Sequence, residues 1–465
     1  MVAAAWFERI GPGDAQQLAT DVGPVPANVG AVLLLDDVDP ATLAATLAGR
    51  VAGVLRMRQR LRRAPLGGGR PVWVDDPDFD PHRHLDVVAC AAPGDESALM
   101  ATAVQAVITP LDRARPLWRA RIITGLADDR VGLVLVLHHV LADGLGGLAV
   151  LAQLVDKEEV GSPTRWRPAP RPAPTPSTLR ADAARARRES LRRAPQALAA
   201  LGPALIELGR ERPSRAPQCS LNAPTGPRRR VAVVSVELGP ARSAARDRGA
   251  TVNDVLLVAA ARALGAVLAA RGEHLPELVI SVPVSARADT TTEQLGNQVG
   301  VMPVRVPVGG PRDAALAQVA RGTTARKSTQ RGASAALITP VFRLLAALGL
   351  FRPMIDRQRL VNSFLTNMRG PGQSMHLAGA AIRRIAPVTI ATGNVSVAFA
   401  ALSYAGTLTI SVIVDPDLAP ELDDVAQALR RELDGLAQGS SSGYPLRSDA
   451  ARSAATKGVS HVWSP

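Results

Sequence analysis

The sequence predicts an α/β protein of two similar lobes joined by a cationic connector. Three observations carry this reading. Residues 131–138, VGLVLVLH, open with seven apolar residues and contain no Pro or charge, the signature of a strand buried on both faces. Strand-like and helix-like stretches alternate on both sides of residue 200, so each half can build its own layered core. Between the halves lies PTRWRPAPRPAPTPS, which can form neither a helix nor a central strand. At 465 residues the chain is also too long for one ordinary core. The expected divisions are an N-terminal lobe at 1–160, a connector at 161–226, a C-terminal lobe at 227–437 and a disordered tail at 438–465.

Residues 1–30 are a turn-rich lead-in ending in GPVPANVG. AVLLLD (31–36) reads as a strand, and Pro40 opens a helix whose apolar spacing runs to Val54. VWV (72–74) and LDVVAC (85–90) are short strands. Asp75, Asp76, Asp78, Asp80, His82 and His84 crowd the turn between them. Mixed Asp and His raises a metal site, but the Asp–Pro steps read more simply as turn chemistry. A helix from Glu96 to Val107 is capped by Asp95. PLDRARPLW (110–118) is a loop stiffened by two prolines, in which Asp112 can pair with Arg113 or Arg115. RARIITGL (119–126) begins the strand preceding the central one, and a helix follows at 145–159.

Beyond the connector, 178–211 reads as basic helices interrupted at Pro195 and Pro203, placed on a membrane surface or bridging the lobes. VAVVSV within 227–238 restarts the folded chain. A helix pair covers 239–271, with Asn253 and Asp254 at the entry of its second member, where a capping role alone explains them. Strands are expected at 278–287, ending in Arg287, and at 296–308, which carries Asn297. Helices follow at 311–326 and 335–350. SFLTNMRGP (363–371) is a strand, MHLAGAAIRRIAPV supplies more, and NVSVAFAALSYAGTLTISVIVD is a hairpin turning at Ala405-Gly406. DLAPELDDVAQALRRELDGLAQ is the last helix.

Composition narrows the function. Aromatics are 3% of the chain, too few for stacking platforms along single-stranded nucleic acid. The net charge is +13, and residues 161–230 hold fifteen Arg, no Lys and only four acids. The excess therefore sits in the connector, where it suits anionic lipid or ligand phosphates or simply keeps a linker solvated. It is not on a groove-reading motif, so nucleic acid is not an expected partner. Cys90 and Cys219 form no CxxC and fit free thiols in a reducing cytoplasm. MVAAAWFERIGPGD is too polar after Trp6 for a signal peptide, and no uncharged apolar stretch reaches spanning length.

The chemistry centres on His138 and His139, delivered by a dry strand and followed by Asp143 and Gly144. Imidazole is the side chain best suited to exchange a proton near neutral pH. Adjacent side chains of a strand point to opposite faces, so one histidine serves a site and the other the structure. The pair lacks the i,i+4 spacing of a helical zinc site. GSSSG at 439–443 fits GxSxG but lies in a low-complexity tail, not on a strand-to-helix turn, so a serine hydrolase is rejected.

Together these stretches resemble the bacterial wax ester synthase/acyl-CoA:diacylglycerol acyltransferase family. HHVLADG (138–144) matches its HHxxxDG signature, and PLDRARPLW matches its PLW loop through Pro116, Leu117 and Trp118. Asn253-Asp254 resembles its ND motif. GPRRR, VPVSAR, LGNQVGVM, TNMRGP, SYAGTL, and WVDDPDFD followed by His84, fall in the family's order. The resemblance runs from about residue 10 to 437. HHxxxDG alone is shared with chloramphenicol acetyltransferases, condensation domains and plant acyltransferases; the PLW loop and ND helix are more specific. Met368 and Arg369 depart from the family, which more often has an apolar residue and Pro there. They are expected to lie away from the histidines.

The resemblance implies two chloramphenicol-acetyltransferase-like lobes with the active site in a tunnel between them. It implies His139 as general base, His138 turned to the core, and Asp143 organising the loop with an arginine, Arg287 being the best candidate. Asn253 and Asn297 are candidate oxyanion donors. Acyl-CoA is a co-substrate and no cofactor or metal is implied. The implied acceptor is diacylglycerol or a long-chain alcohol, and the expected location is the cytoplasm or the periphery of a membrane or lipid inclusion. Two other readings keep the same residues: an acyltransferase with an amine, sugar or carrier-bound acceptor, and a silent lipid-surface protein binding through 161–230 and 335–350.

Overall fold

The computed structural model describes residues 7–156, 170–192, 215–285, 299–329, 342 and 345–438. Two six-stranded sheets form its frame. The first runs His376–Leu377, Ala380–Val388, Asn28–Leu35, Val131–His138, Trp118–Thr124, Leu85–Ala89. Its strands pair antiparallel except the last two, which are parallel. The second runs Val299–Pro307, Glu277–Ser285, Ser363–Arg369, Val397–Tyr404, Thr407–Val414, Arg230–Glu237, and Ser363–Arg369 is parallel to both its neighbours. A small sheet joins Glu8–Arg9, Val72–Asp75 and Gln59–Arg62.

The expected lobe at 227–437 is not closed on itself. Its strands His376–Leu377 and Ala380–Val388 cross into the first sheet, where Val388 pairs with Gly30 and Ile382 with Leu35. Alternating polarity shows that a strand has one face to bury; it does not name the partner. The two lobes therefore share a sheet, and neither is a continuous piece of chain.

Burial explains the layering. Helices Pro40–Val51 and Gly144–Leu154 cover one face of the first sheet, and Leu43, Leu47, Val51, Leu151 and Leu154 pack there with Leu133, Leu135 and Leu137. The other face meets helix Glu96–Ile108, which lies between the sheets: Val32, Val134, Val136 and Val388 join Met100, Val104 and Val107, and Val231, Ala398 and Ile413 complete the cluster from the second sheet. Every residue of Val131–His138 is buried. Each large apolar side chain there contributes on the order of 1.5–3 kcal/mol, which fixes the register that places the histidines. Helices Leu238–Asp247, Val252–Ala270, Arg312–Thr329 and Leu422–Gln438 cover the second sheet. Val252–Ala270 is the one helix among the described residues long and apolar enough to cross a membrane, yet it is walled into this second core.

The connector is partly docked. Residues 176–192 are helical. Leu179 is buried with Val72 and Val74 of the small sheet, and Arg9 bonds Asp182 at 2.6 Å and the Leu179 carbonyl at 2.8 Å. Residues 161–169 and 193–214 of the connector, most of the helix expected at 335–350, and the tail from 439 lie outside the described residues.

Candidate active site

The histidine strand ends where its neighbours stop pairing. Asn28 stands opposite His138 as the last rung, and the His138 amide donates to the Leu117 carbonyl of the PLW loop at 3.0 Å. The chain then turns. The His139 amide donates to the Ala27 carbonyl at 2.8 Å, and the Leu141 amide to the His138 carbonyl at 2.8 Å.

The two imidazoles occupy different surroundings. His138 is 3% exposed. Its Nδ1 accepts the Val140 amide at 3.1 Å, and its Nε2 lies 3.0 Å from Asp21 Oδ2. A nitrogen that accepts an N–H carries no proton, so the ring hydrogen sits on Nε2 and points at the carboxylate. His139 is half-buried, with its Nδ1 turned inward.

Asp21 belongs to the lead-in loop and carried no signal in the sequence. Its Oδ1 accepts the Ala27 amide at 2.8 Å, and its Oδ2 also accepts Arg113 at 2.6 Å. Burial pushes this carboxyl up, but the hydrogen bonds from His138 and Ala27 and the charge of Arg113 outweigh it and hold Asp21 below the ordinary range. No local pattern announces a contact made across 117 residues of chain.

Asp143 is 4% exposed and caps helix Gly144–Leu154 by accepting the Gly146 amide at 2.8 Å. Its proposed partner Arg287 lies outside the described residues, as does Asn297. Gly144 leaves room for Met368: a Cβ there would stand 2.4 Å from its Sδ, and the thioether would have to shift. The expectation that Met368 lies away from the motif is thus corrected. Strand Ser363–Arg369 of the second sheet brings it against the HHxxxDG glycine, a contact between sheets that the linear sequence does not display.

Pro116, Leu117 and Trp118 are all buried. The Trp118 indole N–H donates to the Met57 carbonyl at 2.7 Å. His84 stacks on the indole at 4.4 Å between ring centres, and its Nδ1 lies 2.9 Å from the Trp118 carbonyl; burial pushes its pKa down. The PLW loop is therefore a backing plate for His138. In the same loop Arg115 pairs with Asp112 at 3.4 Å, while Arg113 reaches Asp21.

Asp254 is 1% exposed and forms a reciprocal capping box with Thr251. Its Oδ2 accepts the Thr251 amide at 2.8 Å, and its Oδ1 accepts the Thr323 hydroxyl at 2.8 Å. Asn253 is half-buried one residue before it. Around His82 and His84, Asp80 accepts the His82 amide and Asp76 pairs with Arg60. Among the described residues no group of three or more His, Cys, Asp or Glu is arranged to hold a metal.

A narrow apolar gap lies inside the first lobe, lined by Leu47, Trp118, Leu133, Leu135, Leu151 and Leu377 among others. It has room for about one water molecule and not for an acyl chain. It sits on the helix-covered face of the histidine strand and is not lined by either histidine.

Two mixed sheets, the first completed by strands from the C-terminal half, carry the histidine pair at the end of a buried strand, the fold of the chloramphenicol-acetyltransferase-like proteins. Solved structures carry the same fold. A wax ester synthase/diacylglycerol acyltransferase from Marinobacter aquaeolei VT8 superposes with a TM-score of 0.67 at 23% identity, covering 93% of this chain and 99% of that one. The first condensation domain of the calcium-dependent antibiotic synthetase gives 0.59 at 19% identity, covering 94% and 97%. Residues 10–256 match the wax ester synthase/diacylglycerol acyltransferase catalytic domain, and 295–437 match the C-terminal domain of the same family. A Mycobacterium tuberculosis protein named "Probable diacyglycerol O-acyltransferase tgs1" is 30% identical over 423 residues, 86% of this chain and 89% of that protein. The chain belongs to the wax ester synthase/diacylglycerol acyltransferase family, and it is an acyl-CoA-dependent acyltransferase.

Proposed function

We propose that the protein esterifies the free hydroxyl of diacylglycerol with a long-chain acyl group from acyl-CoA, using His139 as general base. The observation that carries this is the division of labour in the histidine pair. Both His138 ring nitrogens are committed to Asp21 and Val140 in a buried setting, while His139 keeps access to solvent. His139 takes the hydroxyl proton as the oxygen attacks the thioester carbonyl carbon. The oxyanion so formed draws on Asn253 or Asn297 as donor. As the C–S bond breaks, the imidazolium returns the proton to sulfur, and ester and free CoA leave. Only a proton and an acyl group move, so we assign the reaction no metal or resident cofactor. The names of the curated relatives favour diacylglycerol over a fatty alcohol as acceptor. The test is CoA release from palmitoyl-CoA, measured separately with dioleoylglycerol and with hexadecanol, for the wild type and His139→Ala. Turnover with dioleoylglycerol that His139→Ala abolishes is expected; an active His139→Ala protein defeats the assignment of the base.

We further propose that the protein is cytoplasmic and meets its water-insoluble acceptor by resting on an anionic lipid surface. Leu66, 95% exposed, stands on a loop after exposed Arg62 and Arg63. Arg180 and Arg187 of the docked helix bond the carbonyls of Leu66 and Gly67. Leu191 lies on the same helical stripe, one turn beyond Arg187, and is 73% exposed. Exposed arginines 185, 188 and 192 flank it. Apolar tips set among guanidinium groups match a layer of acyl chains under phosphate. Sedimentation with phosphatidylglycerol vesicles, absent with phosphatidylcholine and weakened by Leu66→Ser, is the expected result; equal partition to both vesicles overturns it.

A further inference from the structure

We infer that Asp21 is a positioning residue of the acyl transfer: it fixes the tautomer of His138 and, through Ala27, the turn that presents His139. The inference rests on the reading of His139 as the base.

Two backbone amides bracket the His139 side chain, its own and that of Val140. The Val140 amide is taken by His138 Nδ1 at 3.1 Å. That bond exists only while Nδ1 is bare, hence only while the ring proton is on Nε2. An acceptor facing Nε2 enforces this state, and Asp21 Oδ2 is that acceptor at 3.0 Å. The His139 amide is taken by the Ala27 carbonyl at 2.8 Å, and the Ala27 amide is held by Asp21 Oδ1 at 2.8 Å. One carboxylate therefore governs both anchors of the turn, one through each oxygen. Arg113, more than half exposed, holds the same Oδ2 at 2.6 Å and ties the assembly to the PLW loop.

Asp21→Asn is the informative change because it keeps the shape. An amide has one oxygen where the carboxylate has two. If that oxygen faces the Ala27 amide, the NH2 group faces His138 Nε2–H, donor against donor. Relief requires moving the ring proton to Nδ1, which then opposes the Val140 N–H. If the amide is reversed, the conflict moves to Ala27. Either way the turn beneath His139 loosens. A carboxylate-to-amide change that spoils a tautomer beside a catalytic group is costly in other enzymes.

The experiment combines kinetics with selectively 15N-histidine-labelled protein, whose seven histidines give a countable spectrum. A His138→Gln sample assigns the His138 signals. Wild-type His138 is expected as the Nε2–H tautomer. Asp21→Asn is expected to lose about tenfold or more in kcat, with KM for palmitoyl-CoA within about twofold, and to lose the Nε2–H signature where its amide oxygen faces Ala27. Asp21→Glu, which keeps the charge and both oxygens, is expected to stay more active than Asp21→Asn. Wild-type His138 found as the Nδ1–H tautomer overturns the proposal, and this measurement needs no variant of Asp21 to fold. Unchanged kcat in Asp21→Asn overturns it too, as does an Asp21→Glu protein no more active than Asp21→Asn. An active His139→Ala protein instead refutes the base and leaves the His138 tautomer result standing.

Discussion

Strands Val131–His138 and Val397–Tyr404 invite comparison. Each is eight residues long, interior to a six-stranded sheet and almost wholly buried. They differ in how they end. The second closes on itself: Tyr404 pairs with Thr407, and Ala405 and Gly406 turn the chain with φ of 45° and 82°. Its amide at Ala405 goes to a backbone carbonyl, that of Pro371. The first ends in a turn to which side chains add acceptors beside the backbone ones, with Val140 on His138, Gly146 on Asp143, and Ala27 on Asp21. Equal apolar burial thus supports an end that only connects and an end that presents a reactive ring. The difference lies in the side-chain acceptors present at the reactive end.

The largest effect expected from this contrast is on turnover. His139→Ala should lower kcat by about two to four orders of magnitude, the usual worth of a general base, while the urea midpoint stays near that of the wild type. A loss of folding cooperativity in that variant would mean that the ring is a packing element like its neighbours, and the two strand ends would then not differ in kind.

The next test probes how tightly the presenting end is held. A methyl group in Gly144→Ala meets Met368 Sδ at 2.4 Å. The thioether can give way, so the expected cost is about 1–2 kcal/mol with a several-fold fall in kcat. Adding Met368→Ala should recover part of both, a coupling of about 1 kcal/mol in a double-mutant cycle. Additive effects would show that the sheets do not meet at the motif glycine.

Much of this was legible in the sequence because it is local. The seven-residue apolar run fixed the central strand, Asp95 announced its helix by capping chemistry and Pro40 its own as a first-turn proline, and Ala405-Gly406 announced the hairpin. The histidines were found because two imidazoles beside a dry strand are unusual. The rest depends on pairing between distant residues. Asp21 lies in a loop whose composition signals only turns. The exchange of Ala380–Val388 into the first sheet, and the reach of Met368 to Gly144, are choices of partner that no periodicity encodes.

The smallest effect concerns the closed end. Ala405 adopts φ of 45°, a left-handed conformation that a Cβ disfavours by about 1–2 kcal/mol, whereas glycine enters it freely. Glycine also carries more backbone entropy in the unfolded chain, which offsets part of the gain. Ala405→Gly should therefore stabilise the protein by about 0.5–1 kcal/mol, read as a shift in the urea midpoint at constant slope, with kcat unchanged. The unchanged kcat matters as much as the shift. Relieving strain at the hairpin should not reach the histidines, because Tyr404 is held at its hydroxyl by Met375 and Ile382 and the turn beyond it bears on no residue of the site. A change in kcat from this exposed turn would mean that the second sheet transmits to the first through Ser363–Arg369, and that Met368 is a moving part and not a fixed wall.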